Sequence, residues 1–341
     1  MKIGITFDLK DFYIRKGYSK EEVAEFDSEE TIKGIESAIL NLGVKVDRIG
    51  NINDLTGRLA NGDRWDLVFN IAEGLYGFGR ESQVPALLDA YRIPYTFSDP
   101  MVLALTLHKG MAKHVIKDFG LNTPDFFIIK KTDELKKLTL DFPLFVKPVA
   151  EGTGKGISDR SIVSNIDELK EISNNLIRRF RQPVIIEEYL PGREFTVGII
   201  GTGRKARVAG VIEVIQKDDD PDFVYGYENK ADYEKYVEYK SVEEPYYGRC
   251  GRLALASWRA LECRDAGRVD VRFDRKGKPS FIEVNPLAGL NHIHSDLPIL
   301  CHKYGMSFNR LICEIIQSAV VRVSSRKYKD HIRSFDPCEI E

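Results

Sequence analysis

Gly267-Arg268-Val269-Asp270-Val271-Arg272-Phe273-Asp274, a turn at Lys276-Gly277, and Ser280-Phe281-Ile282-Glu283-Val284-Asn285-Pro286 form the stretch that decides the fold. Val269, Val271 and Phe273 interleave with Arg268, Asp270 and Arg272 at period two, so the segment reads as two strands of a hairpin. Closing it around Lys276-Gly277 pairs Arg275 with Lys278, and counting back sets Asp270 opposite Glu283 and Arg268 opposite Asn285. Opposed residues have Cβ atoms roughly 4.5–5.5 Å apart, and like charges there repel, so a positive charge belongs between them. Two carboxylates and an amide on one face suit Mg²⁺, which completes its shell with water and phosphate. The alternative is a surface charge ladder in which Arg268 and Arg272 neutralise the two acids.

Working outward, the chain's 341 residues exceed one ordinary core and predict two or three domains. A composition of 43% hydrophobic and 30% charged residues is that of a globular protein in water. No apolar run of about 18 residues predicts a membrane span, and the first residues lack a signal-peptide core, so the expected location is the cytoplasm. Five widely spaced cysteines without C-x-x-C argue for buried thiols rather than disulfides or a thiolate zinc site. A net charge of -2 with scattered lysine and arginine gives no footprint for nucleic acid. Small-molecule chemistry remains.

From the N-terminus, a strand over residues 2–7, a helix from Ser28 to Gly43, and strands near residues 44–47 and 65–70 predict an α/β unit with a parallel sheet. Ligands of such sheets bind beyond the strands' carboxyl ends, which makes the loop from Ile71 to Ser82 a candidate substrate wall. One long helical pattern runs from Asp99 through Leu103, Leu107, Met111 and Phe119 to Gly120. A strand ending at Lys147 leads into Glu151-Gly152-Thr153-Gly154-Lys155-Gly156, whose spacing fails as a P-loop but whose N–H groups can cover phosphates. Glu187 and Glu194, seven apart across a strand connection, can face a nucleotide's amine and ribose hydroxyls. The acidic, tyrosine-rich segment 216–245 is long enough to be a lid. His292 and His294 lack a third partner for zinc.

In order along the chain stand His108-Lys109-Gly110-Met111-Ala112-Lys113, Phe145-Val146-Lys147-Pro148, Gly152-Thr153-Gly154-Lys155-Gly156, Glu187-Glu188-Tyr189-Leu190, Gly192-Arg193-Glu194-Phe195-Thr196-Val197, Glu228-Asn229-Lys230, Gly267-Arg268-Val269-Asp270-Val271 and Ile282-Glu283-Val284-Asn285-Pro286-Leu287-Ala288-Gly289-Leu290. This ordered set resembles the D-alanine–D-alanine ligase branch of the ATP-grasp superfamily. The resemblance implies a three-domain architecture, α/β and α+β: an N-terminal parallel-sheet domain over 1–104, a central subdomain over 105–190, a C-terminal subdomain over 191–323 with the lid, and a tail over 324–341. ATP would lie between the central and C-terminal sheets.

It further implies that Lys109 and Lys147 meet phosphates, with Thr153 and Gly154 in the loop over them. Glu187 and the backbone of Glu188 and Leu190 would hold adenine, Glu194 the ribose, and Lys230 the γ-phosphate. Asp270, Glu283 and Asn285 would bind two Mg²⁺ ions, with Mn²⁺ as an alternative. Arg268 and the Gly289 N–H would stabilise an oxyanion, and Ser295 would bind the acceptor carboxylate. The implied reaction makes an acyl-phosphate from ATP and then an amide from small amino-acid substrates, in a homodimer.

Departures bear on the substrate. The family's Gly-Gly-x-Ser-x-Glu is replaced by Phe7-Asp8-Leu9-Lys10-Asp11-Phe12, its His-Gly loop by Asn70 to Ser82, its Ser-Ser by Thr153-Gly154, and the Tyr after the lid lysine by Ala231. Glu73 or Glu81 is then the expected partner of the substrate amine. Donor or acceptor amino acids other than D-alanine stay open, as do a phosphotransferase and a non-catalytic nucleotide sensor.

Overall fold

The computed structural model describes residues 1–217 and 237–324. In the first part, β1 (Lys2–Phe7), α1 (Lys10–Arg15), α2 (Glu29–Leu40), β2 (Lys45–Gly50), α3 (Ile52–Ala60), β3 (Leu67–Ile71) and α4 (Gln83–Ala90) alternate. The three strands form a parallel sheet, as the sequence predicts, and their order is β2-β1-β3. Ser28 starts α2 by accepting the Thr31 N–H, and Ile32, Ile35 and Ile39 then fall on its buried face. β3 is buried along its whole length, and the loop after it exposes Tyr76 and Phe78 while Glu73 and Glu81 line a cavity.

The single long helix expected from Asp99 to Gly120 is two: α5 (Pro100–Leu107) and α6 (Lys109–Asp118). His108 leaves helical geometry at φ −85°, ψ 92°, and its Nδ1 accepts the Met111 N–H at 3.2 Å, capping α6. The break re-aims the second half, so Met111 and Phe119 of the expected apolar stripe are exposed. It also puts Lys109 at the first turn of a helix, where its N–H bonds the Val149 carbonyl at 2.9 Å.

β4 (Phe126–Ile129), β5 (Leu144–Pro148), β6 (Ile162–Val163) and β7 (Val184–Glu188) make an antiparallel sheet in the order β4-β7-β5-β6, backed by α7 (Ile166–Phe180). The remainder builds a second antiparallel sheet. It contains β8 (Glu194–Ile200), β9 (Arg207–Gln216), β10 (Val237–Ser241), β11 (Ala266–Phe273) and β12 (Pro279–Asn285), in the order β10-β9-β8-β11-β12. Its elements are joined by α8 (Tyr246–Ala260) and followed by α9 (Asp296–Lys303) and α10 (Phe308–Ser324). Within the expected lid, residues 237–241 are an edge strand rather than an aperiodic loop. No helix among the described residues is long and apolar enough to cross a membrane.

Val269, Val271 and Phe273 of β11 pack with Phe281 and Trp258 in one core cluster, each burial contributing about 1.5–3 kcal/mol. Arg268, Asp270 and Arg272 therefore face the other way, toward the four-stranded sheet. The predicted pairs Asp270 to Glu283 and Arg268 to Asn285 are present, but the turn register is not. Phe273 pairs with Pro279, the Asp274 N–H bonds the Lys278 carbonyl, and a shift between Asp270 and Val271 restores the expected count. The extra residue is Ile282, a β-bulge that turns both Ile282 and Glu283 toward the same cleft.

Gly267 has no space for a side chain. A Cβ there would lie 2.4 Å from the Asn285 carbonyl oxygen and 2.7 Å from Trp258. Gly267→Ala is expected to cost about 1–3 kcal/mol in urea unfolding and to push β12 away from β11. An unchanged midpoint would contradict this packing.

Candidate functional site

The two antiparallel sheets face each other across a cleft. Lys147 of β5, Glu187 and Glu188 of β7, and Leu190 line one side; Glu194, Thr196, Arg268, Asp270, Arg272, Ile282 and Glu283 line the other, around a cavity of about 140 Å³. Gly154 closes its edge. Lys109 spans the opening, donating to the Glu151 carbonyl at 2.5 Å and lying 3.5 Å from Glu283. Glu194 sits 3.3 Å from Arg272, so the two acids expected to share a nucleotide differ sharply in surroundings.

Glu187 is only 3% exposed, and both its oxygens are engaged: Oε1 at 2.9 Å from Lys113 and Oε2 at 3.0 Å from Lys147. Lys113 is fully buried and also donates to the Thr123 hydroxyl at 3.0 Å. Burial outweighs the Glu187 attraction and lowers the Lys113 ammonium to about 8. The two lysines hold the Glu187 carboxyl below its usual range despite burial. Lys113 was visible in the sequence only as part of a motif. Its helix position, four residues after Lys109, aims it beneath the cleft floor while Lys109 reaches over the opening.

At the other sheet, Asp270 accepts from the Thr196 hydroxyl at 2.9 Å and lies 3.1 Å from Arg268, which also reaches Asp296 at 2.8 Å. Desolvation raises the Asp270 carboxyl to about 6 against the pull of Arg268, with Glu283 and Asp296 adding repulsion. The predicted charge ladder is half present, since Arg268 pairs with Asp270 while Arg272 goes to Glu194 and the Gly192 carbonyl. It is no surface ladder, because Asp270 is 8% exposed. Asp296 and Thr196 were not singled out from sequence. Asp296 lies ten residues beyond the hairpin and is brought in only by the α9 turn.

No group of three or more His, Cys, Asp or Glu among the described residues is disposed to hold a metal unaided. Asp270, Glu283 and the Asn285 amide instead offer hard oxygen donors, with Asp270 and Glu283 directly opposed. That donor set fits Mg²⁺, which takes one or two carboxylates and fills its shell from water and phosphate. His292 and His294, which lacked a third partner for zinc in the sequence, diverge: His292 packs on the Phe308 ring at 5.7 Å, while His294 lines a different cavity.

That second cavity, about 590 Å³, shares Lys109, Glu151, Gly152, Arg268 and Glu283 with the first and extends toward the parallel sheet. Glu73, Glu81, Thr153, Asn285, Gly289 and Ser295 line it. Ser295 Oγ accepts the Asn291 N–H at 3.0 Å, and a Cβ on Gly289 would come within 2.8 Å of that oxygen, so only glycine leaves the corner open. Asp8 is not available to a ligand: it is buried, accepting from the Tyr13 hydroxyl at 2.6 Å and the Gly74 N–H at 2.8 Å. Glu25, also not foreseen, ties the glycine loop to the first part of the chain through Arg80 at 3.1 Å and the Gly152 N–H at 2.8 Å.

Every predicted site residue within the described part thus lines one of two joined cavities, and Lys230 lies outside the described residues. Cys250, Cys263 and Cys301 are buried free thiols, as expected. Cys313 is not free, and Cys338 lies outside the described residues.

A family profile described as D-ala D-ala ligase C-terminus matches residues 115–317. The D-alanine–D-alanine ligase of Aquifex aeolicus is 34% identical over 289 residues, 84% of this chain and 93% of that protein. The ligase of Bordetella petrii is 31% identical over 297 residues, 86% and 87% of the two chains. An uncharacterized protein, y4sG of Sinorhizobium fredii, is 30% identical over 272 residues, 77% and 75%. The crystal structure of the Bacillus anthracis D-alanine–D-alanine ligase complexed with ATP superposes with TM-score 0.71 at 25% identity, covering 96% of this chain and 99% of that one.

Proposed function

The chain belongs to the D-alanine–D-alanine ligase family, ATP-dependent C–N ligases of the ATP-grasp fold, and on that premise we propose that it joins two amino acids through an acyl-phosphate. The observation that carries this reading is the pair of joined cavities, with Lys109, Arg268 and Glu283 on their common wall. A triphosphate in the first cavity and a carboxylate in the second would meet there.

In this reading Lys147, held at the cleft floor by Glu187, and Lys109, at the opening, neutralise phosphate charge, and the loop with Thr153 and Gly154 covers it. The backbone of Glu188 and Leu190 receives the adenine, and Glu194 the ribose. Lys230 would complete the phosphate site from the lid. Asp270, Glu283 and Asn285 would hold two Mg²⁺ ions, whose charge would lower the repulsion between triphosphate and carboxylate. The carboxylate oxygen attacks the γ-phosphorus and ADP leaves. The second amino acid's amine attacks the acyl carbon, losing a proton as phosphate departs. Arg268 and the Gly289 N–H face the oxygen that becomes negative in that step, and preorganised donors there contribute most to such catalysis. Ser295 meets the acceptor carboxylate. A homodimer and a cytoplasmic location complete the proposal.

Phosphate release measured over a panel of L- and D-amino acids tests it. Amino-acid-dependent release with a dipeptide product is expected, and ADP formed without an amide product would favour phosphoryl transfer instead. Glu73→Gln and Glu81→Gln are each expected to shift the amino-acid preference and raise KM about tenfold or more, by removing an ammonium partner. Unchanged selectivity in both would reassign the amine site.

A further inference from the structure

The larger cavity is walled by carboxylates from three separate segments: Asp27 just ahead of α2, Glu73 after β3, and Glu81 in the turn before α4. Other acids on its wall are already matched. Glu25 has Arg80 at 3.1 Å and Lys155 at 3.4 Å, Glu151 has Lys155 at 2.6 Å, and Glu283 has Lys109 at 3.5 Å. Among the described residues, Asp27, Glu73 and Glu81 have no cation within 4.0 Å. Of the remaining lining cations, Lys20 is exposed and Lys10 acts on Asp27 only at longer range.

Burial first, and the Glu81 and Glu25 carboxylates second, push Glu73 well above the usual carboxyl range; burial also raises Asp27 and Glu81 to about 7, against the pull of Lys10 on Asp27 and of Arg80 and Lys109 on Glu81. Such a wall is short of positive charge. One α-ammonium needs one or two of these carboxyls; a neutral side chain would leave the third protonated and without an ionic partner, whereas a second ammonium supplies the counter-charge that lets it ionise.

Resting on the ligase reading above, we propose that this cavity selects an amino acid with a second ammonium, a diamino acid, with Asp27 as the specificity residue on the second ammonium and Glu73 and Glu81 on the first. The cavity's volume of about 590 Å³ accommodates the longer chain.

The test uses the full chain with ATP and Mg²⁺ and both enantiomers of alanine, serine, 2,3-diaminopropionate, ornithine and lysine, reading phosphate release and product mass. The expected result is a kcat/KM for a diamino acid at least about tenfold above that for alanine. Its KM falls as pH rises through about 7, where Asp27 and Glu81 ionise. Asp27→Asn raises that KM about tenfold or more and makes its pH dependence shallower, leaving the Glu81 contribution, a response that loss of structure alone would not give. A neutral amino acid used as well as the diamino acids, with phosphate release intact, overturns the second-ammonium assignment and leaves the ligase reading standing. Absence of phosphate release with every amino acid overturns both. The wild-type panel decides even if the variant does not fold.

Discussion

Asp270→Asn reduces amino-acid-dependent ADP release by on the order of 10³-fold while the protein stays folded, because the change removes one of two opposed carboxylates that would carry metal charge into the transition state. The amide has nearly the same size, and Arg268 keeps Asp296 at 2.8 Å as a partner. Thr196 retains an acceptor in the amide oxygen. Activity and unfolding midpoint therefore separate: turnover collapses and the urea transition stays close to that of the unmodified chain. Turnover within about tenfold of the unmodified enzyme would remove Asp270 from the metal site and leave Arg268 and Asp296 as a structural pair.

Glu187→Gln has the opposite signature, a large loss of stability. Its carboxylate is the shared counter-charge of Lys113 at 2.9 Å and Lys147 at 3.0 Å, and all three groups are buried. Leaving two ammonium groups desolvated without it costs about 3–5 kcal/mol, a large part of a typical domain's stability of about 5–15 kcal/mol. Lys113→Met is expected to be milder, since the Glu187 to Lys147 pair survives and the methionine fills similar space. Equilibrium urea unfolding of the two variants checks the order, and a Glu187→Gln loss below about 1 kcal/mol would show that water reaches the lysines. ATP binding should weaken in Glu187→Gln as well, because Lys147 loses the contact that aims it into the cleft.

The hairpin illustrates how far the sequence could be read. Alternation alone assigned the core face to Val269, Val271 and Phe273 and the cleft face to Arg268, Asp270 and Arg272, because period two admits no other solution for a half-buried strand. Register near the turn was misjudged, since a three-residue loop and a bulge offset each other and leave the same pairs at the far end. The parallel sheet was equally legible from its strand and helix order. The α5–α6 break was not, since apolar spacing continues through His108 and only its capping bond ends the helix.

For the site, the residues carried on a quoted motif and lying in the described part line the two joined cavities, whereas partners reached only by tertiary packing were not singled out. Lys113 stood in a quoted motif with nothing to tie it to Glu187, and Asp296 beside Arg268 and Asp27 across the larger cavity have no local signal, because each contact is set by the approach of a remote element. The role expected of Glu187 toward adenine has to share its oxygens with two lysines, a competition invisible in the linear chain.

The doubled residue at Ile282 means that the wall of the cleft and the acid beside it occupy consecutive positions yet answer to different constraints. Glu283 is tied to the strand opposite, whereas Ile282 has no partner in the ladder. A change of side-chain bulk at 282 would therefore reshape the cleft without shifting the ladder pair that holds Glu283. The shape of the cleft and the placement of its charge are separable in this ribbon.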